Sequence, residues 1–185
     1  LLISIIVFSA YTGYKSIDYY SQYFYEIMSY TKEESAFLMS NYSYLRPLCA
    51  IFAGIIADRI STKRISIIMF LLASISSLSY VFILNLSVTH MIVITNISIS
   101  MIAFFSLRGI YFSLLRENLI PAKFTGFSVG VISLVGFLPD VYVGSLFGYY
   151  LDNFEIQSAF QICFSFIFFI LCIGLIASLY LKKKI

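Results

Sequence analysis

The stretch QSAFQICFSFIFFILCIGLIASLYLKKKI, Gln157 to Ile185, carries no charged side chain as far as Leu181 and then three lysines in a row, Lys182 to Lys184. A helix crosses a hydrocarbon core of about 30 Å with about 20 mainly apolar residues, since each residue rises about 1.5 Å. This run is long enough, it is continuous, and it ends in a cationic cap. A transmembrane barrel would show alternating segments of about ten residues instead. The pattern predicts an all-α membrane protein.

Composition extends that reading to the rest of the chain. Of 185 residues, 12 are Lys or Arg and 9 are Asp or Glu, so 11% are charged while 61% are hydrophobic. Soluble domains average about 25% charged and about 45–50% apolar, so too little polar surface remains here to cover a water-facing domain. Soluble enzymes are excluded. The formal charge of +3 comes with no basic cluster interleaved with aromatics, so no nucleic-acid partner is expected. Cys49, Cys163 and Cys172 sit in apolar runs and suggest neither a disulfide framework nor a metal site.

Working outward from the last helix, five more apolar stretches qualify. The six lie near residues 1–30, 35–57, 65–86, 90–115, 124–150 and 157–181. The breaks between them read TKEE (31–34), DRISTKR (58–64), NLSVTH (85–90), RENLIPAK (116–123) and DNFEIQ (152–157). Short cytoplasmic loops carry the positive excess. Arg59, Lys63, Arg64, Arg116, Lys123 and Lys182 to Lys184 fall on one side, and only Lys32 on the other. Both visible ends are therefore expected in the cytoplasm.

The three remaining basic residues, Lys15, Arg46 and Arg108, lie within apolar helices together with Asp18 and Asp140. A charge at a helix centre costs about 2.5–3.5 kcal/mol on insertion scales, so such groups face a bundle interior or a water-filled path and are functional candidates by default. Arg46 and Asp140 each lie about 18 Å along the helix from the nearest loop acid, near mid-membrane. Tyr11, Lys15, Asp18 and Gln22 recur at helical spacing and draw one polar stripe; Asn96, Ser100, Phe104 and Arg108 draw another. Ser133, Gly136, Asp140, Gly144 and Gly148 put a carboxylate on a small-residue face suited to close packing, and Pro139 is expected to kink that helix. Lys15 and Asp18, three residues apart, can also simply neutralise one another.

The second span ends in GIIADRISTKR, Gly54 to Arg64. This resembles the signature loop of the major facilitator superfamily, G-x-x-x-D-R-x-G-R-R: Gly54, Asp58, Arg59 and Lys63 match, while Ser61 and Thr62 stand where the pattern has Gly and Arg. In that family each half has six helices with cytoplasmic ends and the loop follows the second helix of a half. Here it occupies that place. The resemblance implies one six-helix half of a major-facilitator-type bundle, in which Gly54, Asp58, Arg59, Lys63 and Arg64 form a gating loop that latches one conformation. Because the chain opens inside the run LLISIIVFSA, it is read as the C-terminal half, 1–185, with the N-terminal half of the same polypeptide as its partner. RGIYFSLLRENLIPAKFTG (108–126) followed by GVISLVGFLPD (130–140) is similar to bacterial carriers near the organophosphate and sugar-phosphate branch.

The expected function is secondary transport of a small solute by alternating access, with proton symport or antiport, in a bacterial inner membrane. Three basic against two acidic intramembrane residues favour an organic anion, a phosphate ester or a carboxylate. Lys15, Arg46, Arg108 and Tyr11 are the expected substrate-binding residues; Asp18 and Asp140 are expected to couple protons or to form charge pairs. The bilayer and the solute are the expected partners, with no cofactor and no metal. A non-transporting receptor of the same fold is the alternative. An intramembrane enzyme is not expected, since His90 is the lone histidine and no H-E-x-x-H or G-x-S-x-G arrangement occurs.

Overall fold

The computed structural model describes residues 2–83, 90–111, 113–114 and 122–181. Among them every regular element is helical: α1 (Leu2–Ser16), a 3-10 turn (Ile17–Tyr19), α2 (Tyr20–Glu26), α3 (Lys32–Ser43), α4 (Leu45–Arg59), α5 (Thr62–Ile83), α6 (His90–Ile110), α7 (Ala122–Gly136), α8 (Pro139–Asn153) and α9 (Ile156–Tyr180). Four stretches have the length and apolarity of a membrane crossing: Thr62–Ile83, His90–Ile110, Gly126–Asn153 and Ile156–Tyr180. They correspond to the last four spans expected from sequence. The first two spans are present as helix but interrupted, α1 passing through the 3-10 turn into α2, and α3 into α4 at Tyr44. The connection expected at 85–90 apart from His90, the segment 116–121 with Arg116, the Lys123 side chain, and Lys182 to Lys184 lie outside the described residues.

Each interruption has a local cause. Pro47 has no N–H to donate and its ring crowds the carbonyl four residues back, so Tyr44 N–H turns instead to Asn41 O at 3.2 Å. Pro139 acts likewise: α7 ends at Gly136, Leu138 N–H bonds Val135 O at 3.4 Å, and α8 begins with Pro139 in its first turn. The expected proline kink is thus a break between two helices. In α1 the Ser16 hydroxyl donates to Gly13 O at 2.7 Å, competing with the backbone ladder just before the tightened turn.

α1 is the central element, packed against α6, α7, α8 and α9, while α5 packs on α9 and on α6, and α4 on α6. In lipid the association of helices depends on close van der Waals fit, which small residues permit. A Cβ at Gly109 of α6 would lie 2.7 Å from the Ala50 Cα of α4, and one at Gly174 of α9 would lie 2.6 Å from the Ser9 Cβ of α1. One at Gly136 would meet the Val7 side chain at 2.5 Å. Of the expected small-residue face, Gly136 therefore does pack closely; among the described residues nothing lies within 4 Å of a Cβ at Gly148, and one at Gly144 meets only the Tyr19 hydroxyl. Toward the ends of α2, α5 and α9 the core is aromatic, with Tyr23 edge-on to Phe160 and Tyr80 stacked on Phe164 at 4.4 Å.

Some buried polar groups pair between helices, while the Ser9, Ser74 and Ser178 hydroxyls have no partner among the described residues. Ser76 of α5 donates to the Asn96 side chain of α6 at 2.9 Å, and the Asn96 amide donates back to Ser76 O at 3.1 Å. Ser100 meets the Tyr20 hydroxyl at 3.0 Å, and Phe104 lies against Gly13. The expected stripe on α6 therefore divides. Asn96 and Ser100 join helices, because a buried amide or hydroxyl is costly without a partner, and Arg108 alone of that stripe reaches the charged cluster.

At the signature loop, Ser61 caps α5, its hydroxyl accepting from Arg64 N–H at 3.2 Å. The departure from the family pattern thus supplies a helix cap. Lys63 Nζ donates to Leu179 O at 2.9 Å, placing a cation on the carbonyl end of α9. No described atom lies within 4 Å of a Cβ built at Gly54, so this glycine makes no close helix contact among the described residues.

Candidate functional site

The five charges expected within the membrane gather around α1. Tyr11, Tyr14 and Lys15 come from α1, Asp18 from the 3-10 turn, Arg46 from the first turn of α4, Arg108 from the last turn of α6 and Asp140 from the first turn of α8. The helix interruptions fall within two residues of Lys15, Asp18, Arg46 and Asp140. Irregular backbone at membrane depth is tolerated where it lines a cavity or is buried in protein, which is how discontinuous helices serve binding sites.

Lys15 is held between two carboxylates. Its ammonium lies 2.6 Å from Asp18 Oδ2 and 3.3 Å from Asp140 Oδ1. The Tyr11 hydroxyl donates to Asp140 at 3.0 Å, and the Thr12 and Tyr142 hydroxyls bond at 2.5 Å. Together these tie α1 to α8 across the Gly136–Pro139 break. Asp140 also sits at the positive end of α8, where a carboxylate is favoured. The Lys15 side chain is 25% exposed against 57% for Asp18 and 47% for Asp140, so the chain leaves the clamp less covered on its acidic side.

The arginines are arranged differently. The Arg108 guanidinium lies 4.0 Å from the centroid of the Tyr14 ring and 5.4 Å from that of Tyr11; Arg46 lies 5.3 Å from Tyr14 and 5.6 Å from Phe105. Tyr14 is thus a shared platform for both cations. Neither arginine forms a salt bridge among the described residues. Stacking occupies a guanidinium's face and leaves its in-plane N–H fork for a planar oxyanion. Arg108 is favoured at the carbonyl end of α6, whereas Arg46 is a cation at the positive end of α4, a placement that costs energy and that an anion beside it would relieve.

All six expected site residues of the cluster, Tyr11, Lys15, Asp18, Arg46, Arg108 and Asp140, therefore meet. Gly54, Asp58, Arg59, Lys63 and Arg64, expected from the resemblance to form a gating loop, lie apart from them, at the far end of α4 and the start of α5. Sequence reasoning missed Tyr14 and Phe105. Their signal was present: Tyr14 follows Tyr11 by three residues and Phe105 precedes Arg108 by three, so each shares a helix face with a charged or stacking partner.

No family model matches the chain. It is similar to the Inner membrane protein YqcE of Escherichia coli (strain K12), with 26% identity over 163 residues, which is 85% of this chain and 38% of that protein. The chain thus spans well under half the length of the curated relative it matches. With four helices of spanning length and apolarity, the membrane assignment follows. This is a membrane protein. The relative's name carries no activity, so any reading beyond the membrane rests on the cluster just described.

Proposed function

We propose that the chain is one half of a secondary carrier of the major facilitator type, moving a small organic anion, a phosphate ester or a carboxylate, across a bacterial inner membrane by alternating access. Six helical passes with both visible ends cytoplasmic, the N-terminal half packed on the open face and the signature loop as latch belong to this reading. The observation that carries it is the division of labour among the five charges. Both carboxylates are committed to Lys15, while the Arg46 and Arg108 forks share Tyr14 and carry no carboxylate partner among the described residues.

The clamp then does the coupling. With Asp18 and Asp140 ionised, Lys15 is neutralised and the anion meets two arginines alone. A proton on Asp140 removes one of the two charges holding Lys15 and turns Tyr11 from a donor to the carboxylate into a neighbour of a neutral acid. Lys15 is then freer to join the anion, so proton and anion are taken up together, which is symport.

Uptake of a panel of organic phosphates and carboxylates by the full-length protein in proteoliposomes tests the proposal. Arg46→Ala and Arg108→Ala are each expected to lower uptake at least tenfold, about 1.4 kcal/mol of lost anion interaction. If Arg46→Ala and Lys15→Ala left the uptake of every anion unchanged, the anion reading would fail.

A further inference from the structure

Four aromatic rings form a continuous run through the charge cluster. Phe105, Tyr14, Tyr11 and Phe137 follow one another with ring centroids 6.2, 5.6 and 4.9 Å apart. The arginines sit along the first three, Arg46 on Phe105 and Tyr14, Arg108 on Tyr14 and Tyr11. Phe137 ends the run and carries no cation among the described residues. It differs in exposure too. Phe105, Tyr14 and Tyr11 are buried, whereas Phe137 is 36% exposed and has the exposed Leu134 and Leu138 beside it in the chain, at the break between α7 and α8.

The hydrogen-bonding groups nearby are spent on one another. Tyr11 donates to Asp140, Thr12 and Tyr142 bond together, Ser16 donates to Gly13 O and Tyr19 to Gly144 O. Both carboxylates hold Lys15. What the described residues offer an incoming molecule is therefore two guanidinium forks, the Tyr14 hydroxyl and an aromatic surface. A sugar or polyol body brings several hydroxyls, and each one left without a partner on leaving water is costly. An aromatic body needs no such partner and gains from meeting another ring edge-on or offset. Apolar walls with a few polar anchors are the usual makeup of a small-molecule site.

We propose that the transported anion has an aromatic body, with its acid group on the arginine forks and its ring against Phe137. This rests on the carrier reading and deepens it, by naming the substrate class as aromatic organic acids. The distances fit. The Arg108 guanidinium lies 5.4 Å from the Tyr11 centroid and the Phe137 centroid lies 4.9 Å from it, so cation and last ring are no more than about 10 Å apart. A bidentate hydrogen bond of about 2.8 Å at one end and a ring contact of about 5 Å at the other cover that span with one benzene ring between them. Phe137 then determines specificity: it reads the body of the anion, while the arginines read its charge.

The test uses the purified full-length protein and four anions that vary head and body separately: benzoate, phenyl phosphate, lactate and glycerol 3-phosphate. Binding is read as the concentration at which each raises the thermal midpoint at constant ionic strength. The two ring anions are expected to act at concentrations at least tenfold below the two hydroxylated ones, and Phe137→Leu is expected to cut that ratio to under about threefold. The benzoate shift is expected to vanish in Arg108→Ala, which separates the site from partition into micelles. Uptake of the same anions into proteoliposomes, above that of protein-free vesicles, is measured in parallel. Equal potency of ring and hydroxylated anions, a ratio unchanged in Phe137→Leu, or a benzoate shift that persists in Arg108→Ala overturns the aromatic class. Uptake of lactate or glycerol 3-phosphate then leaves the carrier reading standing. The wild-type comparison decides the matter alone if Phe137→Leu fails to fold. Selective binding of the ring anions with no uptake of any anion keeps the aromatic site and defeats the carrier reading.

Discussion

Gly109→Ala is the sharpest structural test, because its obstacle is backbone. A Cβ there would lie 2.7 Å from the Ala50 Cα and 2.8 Å from its Cβ. Ordinary contact begins near 3.4 Å, so α4 and α6 must part by about 0.7 Å at their crossing. A gap of about 0.5–1 Å forfeits a quarter to a half of the dispersion well for the atoms lining it, here Ala53, Ala57, Ile65 and Ile110. Overpacking of this kind costs about 1–3 kcal/mol. Against this, replacing Gly by Ala inside a helix contributes about 1 kcal/mol. Gly130→Ala in α7 gains the same propensity term with no described atom within 4 Å of its Cβ, so it serves as the reference. Denaturant titration of the full-length protein in mixed micelles should place Gly109→Ala about 1–3 kcal/mol below Gly130→Ala. Equal stability of the two variants would refute the close α4–α6 crossing. Function should follow, since Arg108 adjoins Gly109 and Arg46 lies one turn from Ala50, and separating the helices moves both guanidiniums on Tyr14.

Three further outcomes are expected. Tyr14→Phe should keep anion uptake near normal, whereas Tyr14→Leu should raise the apparent KM about 2- to 30-fold, from a loss of about 0.5–2 kcal/mol of stacking in all; equal KM values would remove Tyr14 as a platform. Ser61→Ala should lower stability by about 0.5–2 kcal/mol and Ser61→Asp should restore it, because only the alanine leaves Arg64 N–H uncapped; micelle denaturation reads both. At the start of α3, the Thr31 backbone N–H and hydroxyl both donate to Glu34, holding its carboxylate below the ordinary value of 4.5. A depressed folded value means the stabilisation is fully present above 4.5 and is lost as pH falls through the folded value, so hydrogen exchange over residues 32–35 should quicken there and Glu34→Gln should flatten the response.

The helical class and the segmentation were legible in the sequence because they are local. An apolar run such as 157–181 has one workable solvent and one workable backbone, and Pro139 marked one break in the ladder, whereas the break before Pro47, inside the stretch 35–57 read as a single span, was not foreseen. The exceptional positions of Lys15, Asp18, Arg46, Arg108 and Asp140 were legible too, since a charge among apolar residues needs no structure to be noticed. Periodicity was less reliable for faces. It grouped Asn96 and Ser100 with Arg108, yet the first two turn to Ser76 and Tyr20. Spacing describes one helix and says nothing of which neighbour lies against each side.

What the chain determined by itself, then, is that it is helical, that it belongs in a membrane and that it carries five charges where lipid would reject them. Only the tertiary structure decided that Lys15 lies between Asp18 and Asp140 and that two arginines share Tyr14. The physical reason is that these are contacts between helices distant in sequence. Their rotation and separation depend on a few close crossings, Gly13 on Phe104, Gly109 on Ala50 and Gly174 on Ser9, whose geometry exists only once the helices have packed.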